Sequence, residues 1–443
     1  MSGTPRPTVL ARANSKAMKR LLPILALLLF INYLDRVNVG FAAPTMNDAI
    51  GLTATTYGIG VAVFFIGYVL LEIPSNYIMF RVGARKWLSR IAISWGIVAA
   101  AHALVIDFPT FVIARVLLGI AEAGLLPGIL LYISLWFSGP QRILVLGIYY
   151  VALPLSTALG GPFSNWLIEI GGAWFGFEGW RFMFAIEGLA AVALGIVVFF
   201  VLPSLPREAR WLSLEEKAAM EAASEAASAG QHSHTFLAAL RSAVTLRLAG
   251  IFFLMTFPMF AISFFLPLVT SAIADAGSGA VSLVTFIPFT LGAIGSFVWS
   301  RYAQRRGLRP WHYGVPIIIA GAAVLVCALS GEGSFLVLLG GVAVAAVGIY
   351  SAAPIFWSFA TGSLSGPGSA SGLALINTVG SLGGFVAGYF TGWMRDTTGD
   401  YSLPLAIMAG SLMLSGVIAL TTLGRHRLSV TAAPTSEAQG SRV

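Results

Sequence analysis

Apolar residues come in long blocks along this chain, broken by short clusters of glycine, proline and charge. Twelve blocks are long enough to cross a bilayer, which takes about 20 apolar residues per helix. They lie at approximately 21–44, 57–79, 88–106, 110–136, 143–168, 180–202, 247–273, 280–302, 312–330, 334–359, 369–394 and 403–424. The pattern predicts an all-α membrane protein of twelve transmembrane helices. It divides into an N-terminal tail (1–20), a six-helix bundle (21–203), a hydrophilic linker (204–246), a second six-helix bundle (247–424) and a C-terminal tail (425–443). Within the linker, Ser213 and Glu216 have capping-box spacing, and Leu214 to Ala227 has helix-forming composition. The basic N-terminus runs into a span with charges in its middle and no small-residue cleavage site, so a retained helix is expected rather than a signal peptide.

Composition agrees with the pattern. Of 443 residues, 57% are hydrophobic and 10% charged, against about 25% charged in ordinary soluble domains. That excludes a soluble enzyme, a nucleic-acid-binding domain and a disordered tail protein. The net charge of +8 is a matter of topology. On one side lie Arg6, Arg12, Lys16, Lys19 and Arg20 of the tail, and Arg81, Arg85, Lys86 and Arg90 after the second span. Arg142 joins them, as do Arg301, Arg305, Arg306 and Arg309 after the eighth span, five basic residues in and beside the linker, and Arg425, Arg427 and Arg442. Together these are 22 of the 26 basic residues. The positive-inside rule then places both termini and the linker in the cytoplasm, and no nucleic-acid partner is implied. Cys327 is the only cysteine, and His232 and His234 in the linker have no ligand partners at metal spacing. Neither a disulfide, a metal nor a cofactor is expected.

The two halves echo each other. Arg85 and Arg305 are 220 residues apart, and Gly160-Gly161 and Gly383-Gly384 are 223 apart. A parallel 6+6 repeat is a transporter arrangement, with the substrate site between the halves. The informative residues are charges inside apolar helices. Span one carries Asn32, Tyr33, Asp35, Arg36 and Asn38, and span four carries Arg115 and Glu122. Each such charge costs about 2.5–3.5 kcal/mol on insertion scales, so the four charges persist only if paired or facing a water-filled cavity. Seven residues make nearly two turns, which puts Arg115 and Glu122 on one helix face. Arginines in such a place hold an anion, and carboxylates carry a proton; a purely structural ion-pair network is the competing reading. Glu72 and Glu187 read as packing or gate carboxylates, and Gly380, Gly384, Gly388 and Gly392 as a close-packing ridge. The aromatic pairs Phe64-Phe65, Tyr149-Tyr150 and Phe264-Phe265 read as packing, and Trp357 as a residue able to stack on a ligand.

Several motifs resemble the anion:cation symporter family of the major facilitator superfamily. They are Tyr33-Leu-Asp-Arg-Val-Asn-Val-Gly-Phe-Ala42, Glu72-Ile-Pro-Ser-Asn76, Arg81-Val-Gly-Ala-Arg-Lys-Trp87 and Arg115-Val-Leu-Leu-Gly-Ile-Ala-Glu-Ala-Gly124. Gly179-Trp180, Ile186-Glu-Gly188, Phe356-Trp357 and Ala374-Leu-Ile-Asn377 followed by Gly383-Gly-Phe385 continue the match in order over most of the chain. Within that family it resembles the tartrate and phthalate permeases and sugar-acid importers of bacteria. The resemblance implies the major facilitator fold and proton-driven uptake of a small organic anion across the bacterial inner membrane, by a monomer in the lipid bilayer. It implies Arg36 and Arg115 at the anion, Asp35 and Glu122 as proton-coupling sites, and Tyr33, Tyr68, Trp357 and Asn377 lining the cavity. Sugar-acid members of the family place an amide where this chain has Leu153, and span seven offers only Ser263. Both features favour a less hydroxylated carboxylate, a sulfonate or an aromatic acid. An exporter, a sodium-coupled carrier, an anion sensor and a polytopic membrane enzyme are the alternatives; the last lacks any nucleophile–base or metal constellation.

Overall fold

The computed structural model describes residues 8–137, 141, 145–146, 148–149, 151–175, 178–228, 242–272, 278–331, 334–364 and 369–423. Arg6, Arg142, Tyr150, His232, His234, Arg241 and the segment 425–443 lie outside these residues. Fourteen α-helices occur among them. In the first half they are α1 (Val9–Ile50), α2 (Ala54–Val82), α3 (Ala84–Ala101), α4 (Phe108–Glu122), α5 (Leu125–Trp136), α6 (Ala152–Phe175) and α7 (Gly179–Val201). The linker forms α8 (Leu214–Ser228). The second half comprises α9 (Ala243–Ser271), α10 (Ser278–Arg306), α11 (Trp311–Ser330), α12 (Phe335–Ser363), α13 (Ser369–Thr398) and α14 (Ser402–Thr422).

Eleven stretches among the described residues are long and apolar enough to cross a membrane, with α4 and α5 counted as one span. The remaining predicted span, 143–168, starts among residues partly outside the described set and continues as α6. Together these give the twelve helices of an all-α membrane bundle. Two boundaries differ from the apolar pattern. Helix α1 begins at Val9, not near 21, because Thr8 caps it and Ala13, Ala17 and Leu21 bury one face of the basic segment. Span four is not continuous: it breaks at Ala123-Gly124, where Gly124 takes φ 88°, a conformation open to glycine at little steric cost.

Packing repeats from one half to the other. Spans three and six pack together (α3 on α7), as do nine and twelve (α11 on α14). Spans two and four (α2 on α4) are matched by eight and ten (α10 on α12), and one and five (α1 on α6) by seven and eleven (α9 on α13). The halves meet where α2 packs on α13, α6 on α10 and α1 on α9. Inside a bilayer no hydrophobic gain drives helices together, so close backbone approach through small residues does the work. The Gly384–Gly388–Gly392 ridge of α13 is such a surface. Gly388 lies against Gly58 and Ala62 of α2, Gly392 against Ala54, and Gly384 against the Phe65 ring.

These junctions sit at the end of the bundle opposite the basic loops. There Asp396 Oδ2 accepts from the Thr55 amide (2.8 Å), Tyr57 donates to the Phe264 carbonyl (3.0 Å), and Asn165 donates to Ser282 (3.0 Å). Phe65 packs edge-on against Phe260 and Phe264, so Phe65 and Phe264, one from each of two predicted aromatic pairs, meet at the seam between the halves. At the basic end the linker is tied to α1: Glu216 and Ser213 complete the capping box, Lys16 pairs with Glu216 at 2.8 Å, and Arg20 lies over Trp211. The Lys16 hydrogen bond, backed by the Ser213 amide, holds the Glu216 carboxyl below its usual range. That contribution is present above the ordinary glutamate pKa and is lost only as pH falls below it.

Candidate functional site

The site is built on α1 and on the break in span four. Ending α4 at Glu122 leaves backbone groups without helical partners. Ser75 of α2 accepts the indole N–H of Trp87 (3.0 Å) and donates to the Ala123 carbonyl at 2.7 Å. The motif residues Ser75, Trp87 and Gly124 thus share one task, which is to hold the α4 terminus and its carboxylate in place. Ser75→Ala is expected to lower thermal stability by about 1–3 kcal/mol, the cost of stranding the buried Ala123 carbonyl and the part-buried Trp87 indole. Unchanged melting of the purified variant would contradict this role.

Arg36 of α1 forms a direct ion pair with Glu122. The Glu122 side chain is fully buried, while Arg36 keeps 12% of its side-chain surface. The guanidinium lies over Tyr68 and Phe64, with its carbon 5.1 and 5.2 Å from the ring centroids. Arg115 approaches the same Phe64 ring at 5.0 Å and donates through Nε to the Gly60 carbonyl at 3.4 Å. Arg115 is completely buried. Arg36 Nε, Arg115 Nη2 and Glu122 Oε2 have no protein partner. The structure thus brings Arg36, Arg115, Glu122 and Tyr68 together, with Phe64 as the ring both arginines share.

Asp35 faces a different set. Successive helix positions differ by about 100°, which turns Asp35 off the Arg36 face and towards α3. Its Oδ2 accepts from Trp95 of α3 (2.8 Å), and its Oδ1 from Asn38 one turn on (3.0 Å). The same Asn38 amide nitrogen donates to Glu187 of α7 (2.8 Å), which also accepts from Ser164 of α6 (2.7 Å). All five side chains are buried. Sequence reasoning marks Asp35 and flags Glu187, but not their connection; Asn38, three residues after Asp35, is the only local signal.

Of the lining residues, Tyr33 lies in a small cluster with Val37, Phe41, Val281 and Leu153, its hydroxyl beside those of Tyr350 and Ser263 of the second half. Ser263 itself donates back to the Met259 carbonyl. Trp357 packs on Phe252 and Phe356, with ring centroids 5.0 and 5.6 Å away. Asn377 of α13 donates to Glu72 of α2 at 3.3 Å, which makes Glu72 a link between the halves. Cys327 is buried and free. Among the described residues no group of three or more His, Cys, Asp or Glu could hold a metal ion.

A bundle of two similar six-helix halves, with a buried ion pair beside their seam, is the architecture of a membrane carrier. Residues 25–388 match the Major Facilitator Superfamily profile, and the chain belongs to that superfamily. It is 40% identical to a protein of Agrobacterium vitis named as a putative tartrate transporter, over 93% of this chain and 91% of that one. It is also 32% identical to a quinolone resistance transporter of Acinetobacter baumannii, over 90% and 92% of the two chains. Among solved structures, the xylose transporter XylE of E. coli in a partially occluded inward-open conformation superposes with a TM-score of 0.72. The identity there is 16%, covering 92% of this chain and 98% of that one; the likeness is one of fold. The protein is a transporter and not an enzyme.

Proposed function

We propose that the protein is a proton-coupled symporter that imports a small organic anion across the bacterial inner membrane by alternating access. The observation that carries this reading is the Arg36–Glu122 pair, a cation and a carboxylate that neutralise each other until a second anion arrives. An incoming carboxylate or sulfonate takes Arg36, whose Nε is unpartnered. Glu122 then loses its counter-charge, and a proton replaces it. With a singly charged anion the loaded site is neutral overall and can reorient through the bilayer at lower cost. Arg115 fixes the position of Phe64 and reinforces the positive field, and Tyr33, Tyr68, Trp357 and Asn377 line the substrate. The name of the Agrobacterium vitis relative supports an organic acid as cargo. Leu153 and the back-bonded Ser263 favour one with few hydroxyls. The basic loops are assigned to the cytoplasm, so the sealed end faces outward. The carrier acts as a monomer, with both termini cytoplasmic.

Glu122→Gln is expected to abolish proton-driven accumulation while retaining measurable anion exchange. Proteoliposome assays of net uptake and counterflow separate the two. Full accumulation by the variant sinks the assignment of Glu122. A panel of hydroxy-dicarboxylates, sugar acids, aromatic carboxylates and small sulfonates identifies the cargo class. The resistance transporter among the relatives supports a second reading, in which the same fold exports its cargo; reversing the imposed gradient discriminates the two.

A further inference from the structure

Asp35 and Glu187 are two buried carboxylates hydrogen-bonded to one amide nitrogen, although they come from helices α1 and α7 and lie 152 positions apart in the chain. The remaining donors to them, Trp95 and Ser164, are neutral. Neither carboxylate has an ion-pair partner; among the described residues the ion pairs are Lys16–Glu216, Arg36–Glu122 and Arg181–Glu178.

We propose that Asp35 and Glu187 form one proton-binding unit bridged by Asn38, and that Glu187 is therefore a second coupling carboxylate. This rests on the proton-coupled reading above and extends it to a residue in span six. Two anions held by one amide repel each other strongly where the dielectric is low, and such pairs titrate as a unit. A proton taken from water onto either carboxylate removes the repulsion, and its return to water on the other face restores the starting state.

The charged surroundings permit this. Asp35 feels Glu122 and Arg115 from α4, and Glu187 feels Asp35 from α1. His102, in the turn after α3, packs on Phe184 one helical turn from Glu187 and hydrogen-bonds the Val98 carbonyl. Arg181, on α7 itself, is engaged by Glu178 and by the carbonyls of Ala103 and Val105. Tyr68 and Glu72 of α2 lie on the Arg36 side.

Asn38 suits such a unit because an amide has a donor end and an acceptor end. Its NH2 bonds both carboxylates, and its Oδ1 is buried without a donor. Turning the amide over presents that oxygen to a protonated carboxyl, so one residue serves both charge states. Asn38 is here a positioning residue. Because Asp35 and Arg36 are adjacent on α1, a shift of that helix when the anion engages Arg36 is transmitted directly to the amide.

The test compares Glu187→Gln, Asp35→Asn and the double variant in proteoliposomes, using radiolabelled tartrate or whichever panel anion the wild type accumulates. Each single variant is expected to lose at least tenfold in proton-driven accumulation and to lose much less in exchange. The double variant should be no worse than either single one. A companion, Ser164→Ala, removes only a donor to the Glu187 carboxylate and should extend uptake to higher pH. It keeps the inference testable if Glu187→Gln does not fold. Accumulation by Glu187→Gln within twofold of wild type, or an unmoved pH profile in Ser164→Ala, overturns the inference. If Asp35→Asn and Glu122→Gln fail to accumulate while Glu187→Gln succeeds, only this extension falls. If the wild type itself ignores the proton gradient, the underlying reading falls and takes the extension with it.

Discussion

Arg36→Ala is expected to eliminate anion binding and to destabilise the folded carrier by about 3–5 kcal/mol, the range for stripping one partner from a buried ion pair. Glu122 is fully buried and would be left with no cation in contact, since Arg115 is turned to the Gly60 carbonyl and the Phe64 ring; it must then hold an unpaired charge or take up a proton, and either costs stability. The paired variant Arg36→Ala, Glu122→Gln removes the stranded carboxyl group. It should regain most of the lost stability and none of the uptake. Thermal unfolding of the purified variants, beside uptake in proteoliposomes, reads both quantities. Retained uptake in Arg36→Ala, or an equal loss of stability in both variants, would show that the pair is not the anion site.

Gly388→Leu should stop the transport cycle by a different route. A Cβ at that position would sit 2.7 Å from the Gly58 carbonyl oxygen and 2.9 Å from the Ala62 nitrogen, both backbone atoms of the opposing half. Neither can yield as a flexible side chain would, so the halves cannot close at the sealed end. A penalty of about 3 kcal/mol on that state shifts the balance between conformations by roughly 100-fold. Uptake should fall to background. A cysteine placed at Thr55, in a chain whose single native Cys327 is replaced by serine, should label faster from outside in the variant than in its parent. Normal uptake by Gly388→Leu would mean that the α2–α13 contact plays no part in closure.

Much of this arrangement was legible in the sequence because the bilayer imposes simple rules. Apolar runs of fixed length mark spans. Asp35, Arg36, Arg115 and Glu122 stand out because a charge in hydrocarbon is costly, and the Arg115–Glu122 spacing correctly puts both on the buried face of α4. What stayed hidden depends on tertiary geometry. The apolar pattern does not disclose that Gly124 takes a positive φ, so the break in span four reads as continuous helix. The helical run 9–20 looks like a tail because its buried positions are mostly alanine among basic residues. The tie from Asn38 to Glu187 spans 149 residues and exists only once α1 and α7 are side by side. The glycine ridge of α13 is visible as a pattern, yet only packing shows that Gly384, Gly388 and Gly392 face α2 of the other half while Gly380 lies against Phe252 of its own half.

The most direct test of coupled import is radiolabelled anion uptake into proteoliposomes carrying an imposed ion gradient. Accumulation against the anion's own gradient is expected when protons are driven inward. A protonophore should abolish it, and an inward sodium gradient at equal pH should not replace it. Accumulation driven by sodium alone, or net movement of the anion opposite to the proton flow, would contradict proton-coupled import.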